Sequence, residues 1–451
     1  MVSEVVQRSE LQLAERVLGL AEAEGATEAE VLVLGGSEQL TRFANSQIHQ
    51  NVAETNTQVN LRFVLGRQIG VASTNRVADE SLRGLAQSAA RIARLQPELE
   101  DFRGLPAARP RSEVSGAAAA STVNASPATR AEGARAVIAA ADEAGVLAYG
   151  SFRTVTERIA VANSCDIRVA EERTHAQLIT VCMGTDGESG YAEAAAVDVE
   201  AIDAAAIGRE AAEKARASRG AQQLEPGDYP VVLEEYAVVD LLDMLGYMGF
   251  SALAVQEGRS FFEPGKRIGS ELVSIWDDAT DPAGTPASFD YEGVPKSRVE
   301  LVDRGECRGV VYDAQTAGRE GRESTGHGLP APNPWGPFPL NQFMAAGDQD
   351  RAALIGGLER GLLVTRFHYT NPVHPKLAIV TGMTRDGVFL VEGGEIRGPV
   401  RNLRFTQSYL DALAGVEAVG RTRRLLRGFL GSAVVPAVRI GSFTFTGATE
   451  H

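Results

Sequence analysis

The chain has 451 residues, 44% of them hydrophobic and 23% charged, and its formal net charge at pH 7 is -15. This length exceeds a single hydrophobic core, and the composition is that of a globular protein, neither disordered nor fibrous. The negative charge argues against nucleic acid as a partner, since phosphate binding requires concentrated Lys and Arg.

The cysteines and the N-terminal segment indicate the cellular compartment in which we expect the protein. Cys165, Cys182 and Cys307 are widely spaced and form no CxxC pair, so we expect free, buried or partly buried thiols in a reducing cytosol. No run approaches the roughly 20 apolar residues that a membrane span requires. The N-terminus also lacks the apolar core of a signal peptide. We therefore expect a soluble cytoplasmic protein with no membrane partner.

The first half of the chain alternates amphipathic helices with extended segments. Apolar residues recur at three- and four-residue steps over residues 10–24 and 79–95, which predicts helices. After a break at 97–127, rich in Pro and Ala, the order of helix, strands and helix returns. The tripeptide Ala-Asn-Ser at 44–46 also recurs at 162–164. This pattern indicates a weak internal duplication. The alternative is that a tripeptide recurs by chance.

A polar segment at 219–228 carries Pro and Gly and predicts the boundary between two domains, 1–222 and 226–451. The overall fold class is predicted to be α+β. The N-terminal domain should have helices packed on an antiparallel sheet. The C-terminal domain should have a larger strand-rich sheet or barrel that holds a helix at 236–250.

The most informative stretch of the C-terminal half is 362–413. Its apolar runs at 377–380 and 387–391 are separated by residues 384–387, Thr-Arg-Asp-Gly, whose composition is typical of a tight reversal. The pattern predicts an antiparallel meander. Farther along, the arginines at 421–427 are interpreted as a solvated helix end.

Three segments of this stretch resemble a known protein family: RFHYTNPVHP, TGMTRDGVFLVEGGEI and GPVRNLRF. They resemble the C-terminal half of the TldD/PmbA family, the "modulator of DNA gyrase" metallopeptidases, and within it the PmbA (TldE) branch. The resemblance covers nearly the whole chain and is strongest from Val255 onward. Because the chain is acidic, the gyrase in the family name does not imply DNA binding.

The resemblance also implies where a zinc site would lie. TldD-type chains carry an HExxxH motif on the helix corresponding to 236–250, with two zinc-binding histidines, a glutamate general base and a late cysteine. Here Asp243 and Met248 stand at the histidine positions and Met244 at the glutamate position. Residues 176–326 contain no histidine, and no cysteine follows Cys307. Catalytic zinc needs three N, S or carboxylate ligands, so we expect no catalytic residue and no metal in this chain.

The function that the resemblance implies is that of a non-catalytic subunit. A TldD-like catalytic partner would hold the zinc, and the two chains would enclose a chamber for small unfolded proteins and peptides. The residues expected at the peptide cleft or the subunit interface are Thr325, His327, Trp335, Phe338, Arg366 and Asn371. For Trp335 and Phe338, together with Phe343, the alternative is that the rings cap the core of their own domain.

Two other functions stay open at the level of sequence. One is a free-standing hydrolase with an unrecognised site near His327, His368 and His374; the other is a homodimeric peptide-binding protein. The histidine spacing matches no recognised metal pattern, and the segment 324–327 lacks the GxSxG elbow of a serine nucleophile. Whether the isolated chain is an enzyme is therefore undecided from sequence. Tightly bound zinc in the purified chain would favour the hydrolase.

Overall fold

The structure is a computed structural model that describes residues 2–111 and 114–448. Residues 1, 112–113 and 449–451, which fall within the predicted break and the predicted domains, lie outside the described residues. The fold is α+β, as predicted. No helix in the described part of the chain combines the length and the apolar content needed to cross a bilayer. The three cysteines are free thiols, and Cys182 and Cys307 are buried.

The N-terminal half is built on one antiparallel sheet. Its strands are β1 (Glu28–Ala44), β2 (Gln47–Leu65), β3 (Gln68–Thr74), β4 (Leu147–Asn163), β5 (Arg168–Met183) and β6 (Ser189–Ala196). Its helices are α1 (Val2–Ala23), α2 (Asp79–Leu95), α3 (Ala120–Val123), α4 (Pro127–Ala144) and α5 (Ala204–Ala217). The strand order is β3-β2-β1-β4-β5-β6. Helices α1 and α2 bury their apolar faces on one half of the sheet, and α4 and α5 on the other.

The element order of this half is repeated. The series α1-β1-β2-β3-α2 returns as α4-β4-β5-β6-α5, and the two units meet through the antiparallel pair of β1 and β4. The two Ala-Asn-Ser tripeptides lie at equivalent places, where the first strand of each unit ends. In the first unit, Asn45 and Ser46 have φ of 50° and 56°, as a type I′ hairpin turn requires. The structure thus bears out the predicted duplication.

Strand β1 runs through two consecutive glycines, Gly35 and Gly36, as one strand of 17 residues. The glycines carry no apolar signal, yet they continue the ladder. A Cβ on Gly36 would lie 2.1 Å from the carbonyl oxygen of Thr156 on the neighbouring strand, so the close approach requires glycine.

The C-terminal half holds a larger sheet and shorter helices. Its strands are β7 (Gly227–Leu233), β8 (Ile275–Asp277), β9 (Val299–Asp303), β10 (Glu306–Cys307), β11 (Asn341–Met344), β12 (Arg360–His374), β13 (Ile379–Glu392), β14 (Glu395–Pro399), β15 (Leu403–Ser408), β16 (Val416–Arg427) and β17 (Ser432–Ala448). Its helices are α6 (Glu235–Met248), α7 (Ala252–Gln256), α8 (Ala314–Arg319), α9 (Arg351–Gly356) and α10 (Tyr409–Ala414).

Part of this sheet closes on itself. β17 pairs with β15 on one side and with β7 on the other, and β13 and β12 complete a ring of β7, β12, β13, β15 and β17. Helix α6 packs against β12 and β17, and its apolar residues join the main core of the domain. Of the two predicted forms, sheet or barrel, this part of the sheet is closed, and the helix that packs on it is Glu235–Met248 rather than 236–250.

Two predicted elements of this half are wrong. Residues 384–387 do not reverse the chain, because β13 runs straight through them with a bulge opposite Val364–Arg366 of β12. Asp386 and Gly387 have φ of 56° and 122° and form that bulge. The arginines at 421–427 lie on strand β16 rather than on a helix end, because this segment pairs with β17.

Buried charges connect the two domains. Arg62 of β2 donates from Nη1 to Oε1 of Glu292 at 3.1 Å, and its Nε lies 3.4 Å from Oε1 of Glu30 on β1. Both glutamates are buried. A guanidinium from the N-terminal sheet therefore neutralises a carboxylate of each domain in the interface.

Candidate functional site

A cavity of about 1120 Å³ lies between the domains. The N-terminal sheet contributes one wall. The C-terminal domain contributes α6, the loop that follows α8, the second half of β12 and the connection from β16 to β17. The residues of the N-terminal wall are Leu34, Gly35, Glu157, Ile159, Tyr191 and Glu193. Because both domains supply lining residues, the cavity depends on their contact.

Helix α6 presents one face to this cavity. The lining residues, spaced three or four apart as one helix face requires, are Tyr236, Val239, Asp240, Asp243, Met244 and Tyr247. Of the predicted motif positions, Asp243 and Met244 line the cavity. Met248 does not, because it is fully buried in the core of the domain. A register four residues earlier puts Val239, Asp240 and Met244 at the motif positions, and all three then face the cavity.

The two aspartates of this face are already hydrogen-bonded; Asp243 is buried and Asp240 is half-buried. Asp240 accepts hydrogen bonds from the hydroxyls of Thr370, at 2.5 Å, and Tyr409, at 2.9 Å, and burial raises its pKa to about 6. Asp243 accepts from the backbone N–H of Phe429, and burial, with the nearby charge of Asp240, raises its pKa to about 7. Both carboxyls therefore bind protons far more readily than exposed aspartates do.

These residues do not fit a catalytic zinc ion. Zinc requires three N, S or carboxylate ligands and an open position for water. On the cavity face, Asp240 and Asp243 are engaged by other groups, and a thioether such as that of Met244 is a poor zinc ligand. Among residues 2–111 and 114–448, no group of three or more His, Cys, Asp or Glu side chains is placed to hold a metal ion.

We expect Asp243→Asn to raise the free energy of unfolding above pH 7. The folded pKa of Asp243, about 7, lies well above that of an ordinary aspartate. The folded state therefore binds the proton more tightly, and stability falls as the pH rises from about 4 to 7. Asparagine keeps an oxygen for the Phe429 N–H and cannot ionise. The gain should be on the order of 2–4 kcal/mol at pH 8 and near zero at pH 4.

Urea unfolding at pH 4 and pH 8 measures this difference. Asp348→Asn is the matched control, because Asp348 is exposed and its substitution should leave the pH profile unchanged. An Asp243→Asn profile parallel to that of the unmodified chain would contradict the assigned role of Asp243.

Opposite α6, an arginine connects the walls. Arg366 of β12 donates from Nε to Oδ2 of Asp386 at 2.7 Å, and its guanidinium lies 4.3 Å from the ring centroid of Tyr191 in the N-terminal sheet. The bulge at Asp386 brings this carboxylate to Arg366. Tyr191 in turn donates to Oε2 of Glu193 at 2.6 Å. The chain of contacts fixes Arg366 across the domain boundary.

Aromatic rings surround one end of the cavity. The ring of Tyr247 lies 6.4 Å from that of Trp335, 5.7 Å from that of Phe338 and 6.4 Å from that of Phe429, measured between centroids. Trp335 is 55% exposed and Phe429 75%, whereas Phe338 is only 7% exposed. The cluster therefore has a buried base and an exposed rim. Such rings can contact apolar groups of a ligand or of another chain.

The structure brings four of the six predicted cleft residues together. The predicted residues that line the cavity are Trp335, Phe338, Arg366 and Asn371. Thr325 and His327 lie elsewhere, in the interior of the C-terminal domain. His327 is enclosed, and its Nε2 and Nδ1 atoms lie 2.8 Å from Oδ1 of Asp277 and 2.9 Å from Oγ1 of Thr325. Both ring nitrogens are thus engaged, so His327 cannot join His368 and His374 in a metal site.

The cavity also contains residues that sequence analysis missed. Glu157, Tyr291 and Arg427 come from β4, from the loop before β9 and from β16, and no motif links them. The sequence offered no signal for them, since the arginines at 421–427 were predicted to lie at a solvated helix end.

Comparison with known proteins identifies the class of this fold. The models that match are the PmbA/TldA metallopeptidase domain 1 over residues 29–93, the central domain over 122–219 and the C-terminal domain over 226–447. Together these matches cover most of the chain and define a metallopeptidase-related fold. The chain belongs to the PmbA/TldD metallopeptidase family.

Individual relatives agree with this assignment. The crystal structure of TldE from Thermococcus kodakarensis has a TM-score of 0.87 and 20% identity, and the match covers 96% of this chain and 99% of that one. A Thermotoga maritima protein described as a modulator of DNA gyrase has a TM-score of 0.84 and 21% identity, with 97% and 100% covered. These likenesses establish the fold.

The curated relatives match over a shorter region. A protein named metalloprotease from Methanothermobacter thermautotrophicus is 28% identical over 242 residues, which is 52% of this chain and 52% of that protein. The chain thus spans about half the length of the curated relatives that it matches.

Proposed function

We propose that this chain is the non-catalytic subunit of a two-chain TldD/TldE-type metallopeptidase that acts on small unfolded proteins and peptides in the cytosol. The observation that carries the proposal is the cavity face of α6. Where TldD-type chains are expected to bear HExxxH, this helix presents Asp240, Asp243 and Met244 and no histidine. The zinc and the general base would belong to the partner.

The cavity supports a role in holding peptide. Its volume of about 1120 Å³ exceeds the roughly 300–1,000 Å³ of most small-molecule pockets. Its walls combine aromatic rings with a few fixed polar groups, among them Arg366 and Glu193. That combination suits a ligand with a repeating polar backbone and varied side chains.

The exposed aromatic rim supports association with a second chain. Trp335 and Phe429 both pack on Tyr247, and exposed clusters of large rings mark interaction surfaces in soluble proteins. Because the rim borders the cavity, a partner seated there would close it.

We expect the purified chain to bind far less than one zinc ion per molecule and to leave unfolded peptides intact. Catalytic zinc needs a ligand set that α6 does not supply. Cleavage should begin when a catalytic chain carrying HExxxH is added. Metal analysis after mild purification, and digestion of an unfolded peptide by each chain alone and by the mixture, measure both claims.

The control is a catalytic chain whose motif histidines are replaced by alanine, which should leave the mixture inactive. About one chelatable zinc per molecule of this chain, with peptidase activity that the chelator removes, would favour the free-standing hydrolase. A stable homodimer that binds peptide and ignores the catalytic chain would favour the homodimeric binding protein.

A further inference from the structure

A second, smaller cavity of about 140 Å³ adjoins the large one. It lies between β4 and β5 of the N-terminal sheet and the loops of the C-terminal domain that precede β9 and β11. The residues that line both cavities are Glu157, Tyr291, Leu340, Arg427 and Leu430. We call the smaller cavity the side pocket. By the roughly 30 Å³ that a water molecule takes up in the liquid, it has room for a small polar group.

The side pocket contains N–H donors that lack hydrogen-bond acceptors. Lys296 is only 5% exposed, and within the described part of the chain no hydrogen bond or ion pair forms to its ammonium group, although Asp277 and Asp290 lie near enough to act on its charge. The guanidinium of the half-buried Arg427 likewise has none among the described residues, although Glu157 lies nearby and the Arg427 backbone N–H donates to Glu193. The buried Nε2 atom of His175 also lacks a hydrogen-bond partner there, and burial lowers the pKa of His175 to about 3, so its ring is neutral. Donors that face a cavity without an acceptor favour a ligand that can accept from them.

Other charged groups face the same space. Arg173 is engaged, since it donates to Glu171 and, at 2.7 Å, to the carbonyl oxygen of Phe289. Asp290 accepts three backbone hydrogen bonds, and burial, with Glu292 nearby, raises its pKa to about 7. Glu157 has no hydrogen bond or ion pair in the described structure, and Asp277 lies near Lys296. The side chains of Lys296 and Arg427 face the pocket with N–H donors that no described residue accepts from, and such donors suit a carboxylate.

We propose that the side pocket binds a carboxylate of the peptide that occupies the large cavity, either its C-terminal carboxylate or an Asp or Glu side chain. The inference rests on the proposed peptide-binding function. Arg427 lines both cavities and can contact the carboxylate through two N–H groups. Lys296, in the wall of the side pocket, supplies a second positive charge. The pocket would anchor one point of an otherwise loosely held peptide.

The experiment compares three fluorescein-labelled unstructured decapeptides by fluorescence anisotropy, with this chain alone and with its complex. One peptide has a free C-terminal carboxylate, one is the C-terminal amide, and one is the amide with a single internal Glu. We expect the free acid or the Glu peptide to bind about tenfold more tightly than the plain amide, as one charge-assisted contact would give. The peptide that gains affinity identifies the source of the carboxylate.

Variants locate the contact. Arg427→Gln should remove the tenfold preference, so that the three peptides bind this variant with equal affinity. Glu157→Gln, which removes the opposing charge, should strengthen binding of the preferred peptide. Arg397→Gln is the matched control, because Arg397 lies on β14 and lines neither cavity.

The outcomes separate the two levels of the proposal. Equal affinities for all three peptides, or a preference that survives Arg427→Gln, would overturn the side-pocket inference and leave peptide binding intact. If none of the three peptides bound to the chain or to the complex, the proposed function would fail and this inference with it. Should Arg427→Gln prove unfolded by circular dichroism, an unchanged preference in Glu157→Gln would count against the pocket.

Discussion

Replacing Arg62 with methionine is expected to lower the free energy of unfolding by about 3–5 kcal/mol at pH 8, the range seen when one partner of a buried charge pair is removed. Arg62 neutralises Glu30 and Glu292, which are buried on opposite sides of the domain interface. Methionine fills similar space and leaves two carboxylates without a counter-charge. The two domains, and with them the walls of the cavity, should separate more easily.

The loss should be smaller at pH 5. Burial raises the pKa of Glu30 to about 7 despite the opposing effect of Arg62, and burial also raises the pKa of Glu292. A carboxyl with a raised folded pKa is stabilised by protonation below that value, so acid relieves the repulsion that the substitution creates. Urea unfolding of the variant at pH 5 and pH 8 measures the difference.

Two control proteins make this test specific. The triple variant Arg62→Met, Glu30→Gln, Glu292→Gln should recover much of the lost stability, because no buried charge remains. Arg267→Met removes an exposed ion pair with Glu306 and should change stability by about 1 kcal/mol or less. A loss in Arg62→Met no larger than that of Arg267→Met would show that the interface charges contribute little.

Replacing Trp335 and Phe429 together with alanine is expected to weaken association with a catalytic chain by about 30-fold or more, as the loss of one interface hot spot would. Both rings are largely exposed in this chain, so their removal should scarcely change its melting temperature. Analytical ultracentrifugation of the mixture and thermal denaturation of the single chain give the two values.

Phe338→Ala is the contrasting variant. Its ring is 7% exposed and packs on Tyr247, so truncation should cost about 3 kcal/mol of stability, as for other buried phenylalanines. The sequence left open whether these aromatic residues form an interface or cap the core, and the structure divides them. Phe338 and Phe343 are buried, whereas Trp335 is not. Unimpaired association of the Trp335→Ala, Phe429→Ala variant would remove the rim from the interface.

The local sequence pattern was sufficient to predict a feature that depends on a single element of the fold. The apolar periodicity of 236–250 located α6 to within two residues, because a helix that is buried on most sides repeats its pattern over several turns. The concentration of rings after Thr325 likewise located part of the cavity. Trp335 and Phe338 stand in a Gly- and Pro-rich loop that has no secondary structure to stabilise it, so their function had to lie in contacts.

Pattern was insufficient where the site depends on contacts between distant elements. Arg427 and Glu157 meet only because the domains pack together, and neither carries a motif. His327 was predicted to lie at the cleft because it is a histidine in a glycine-rich loop. The loop instead folds inward: Gly326 has φ of 76°, and His327 is enclosed against Asp277. Sequence cannot show the direction in which such a turn sends the next side chain.

The motif register shows a third limit. Reading Asp243, Met244 and Met248 against HExxxH matched letters and spacing, with no knowledge of which helix face is exposed to the cavity. Met248 lies in the core, and the face that includes Asp240 lies toward the cavity. On a helix buried on most sides, apolar residues surround the axis, and the hydrophobic pattern no longer distinguishes the face of a site from the face of a core.

The ring that β17 closes also sets the order in which the domain can form during synthesis. β7 ends at Leu233, and its antiparallel neighbour β17 begins only at Ser432. The N-terminal sheet pairs strands that lie close in sequence within each unit, so it can assemble as it leaves the ribosome. β7 can pair with β12 earlier, but its other edge and the apolar α6 that packs on β17 stay uncovered until β17 is made. We therefore expect the C-terminal half to fold more slowly than the N-terminal half and to aggregate more readily before its ring closes.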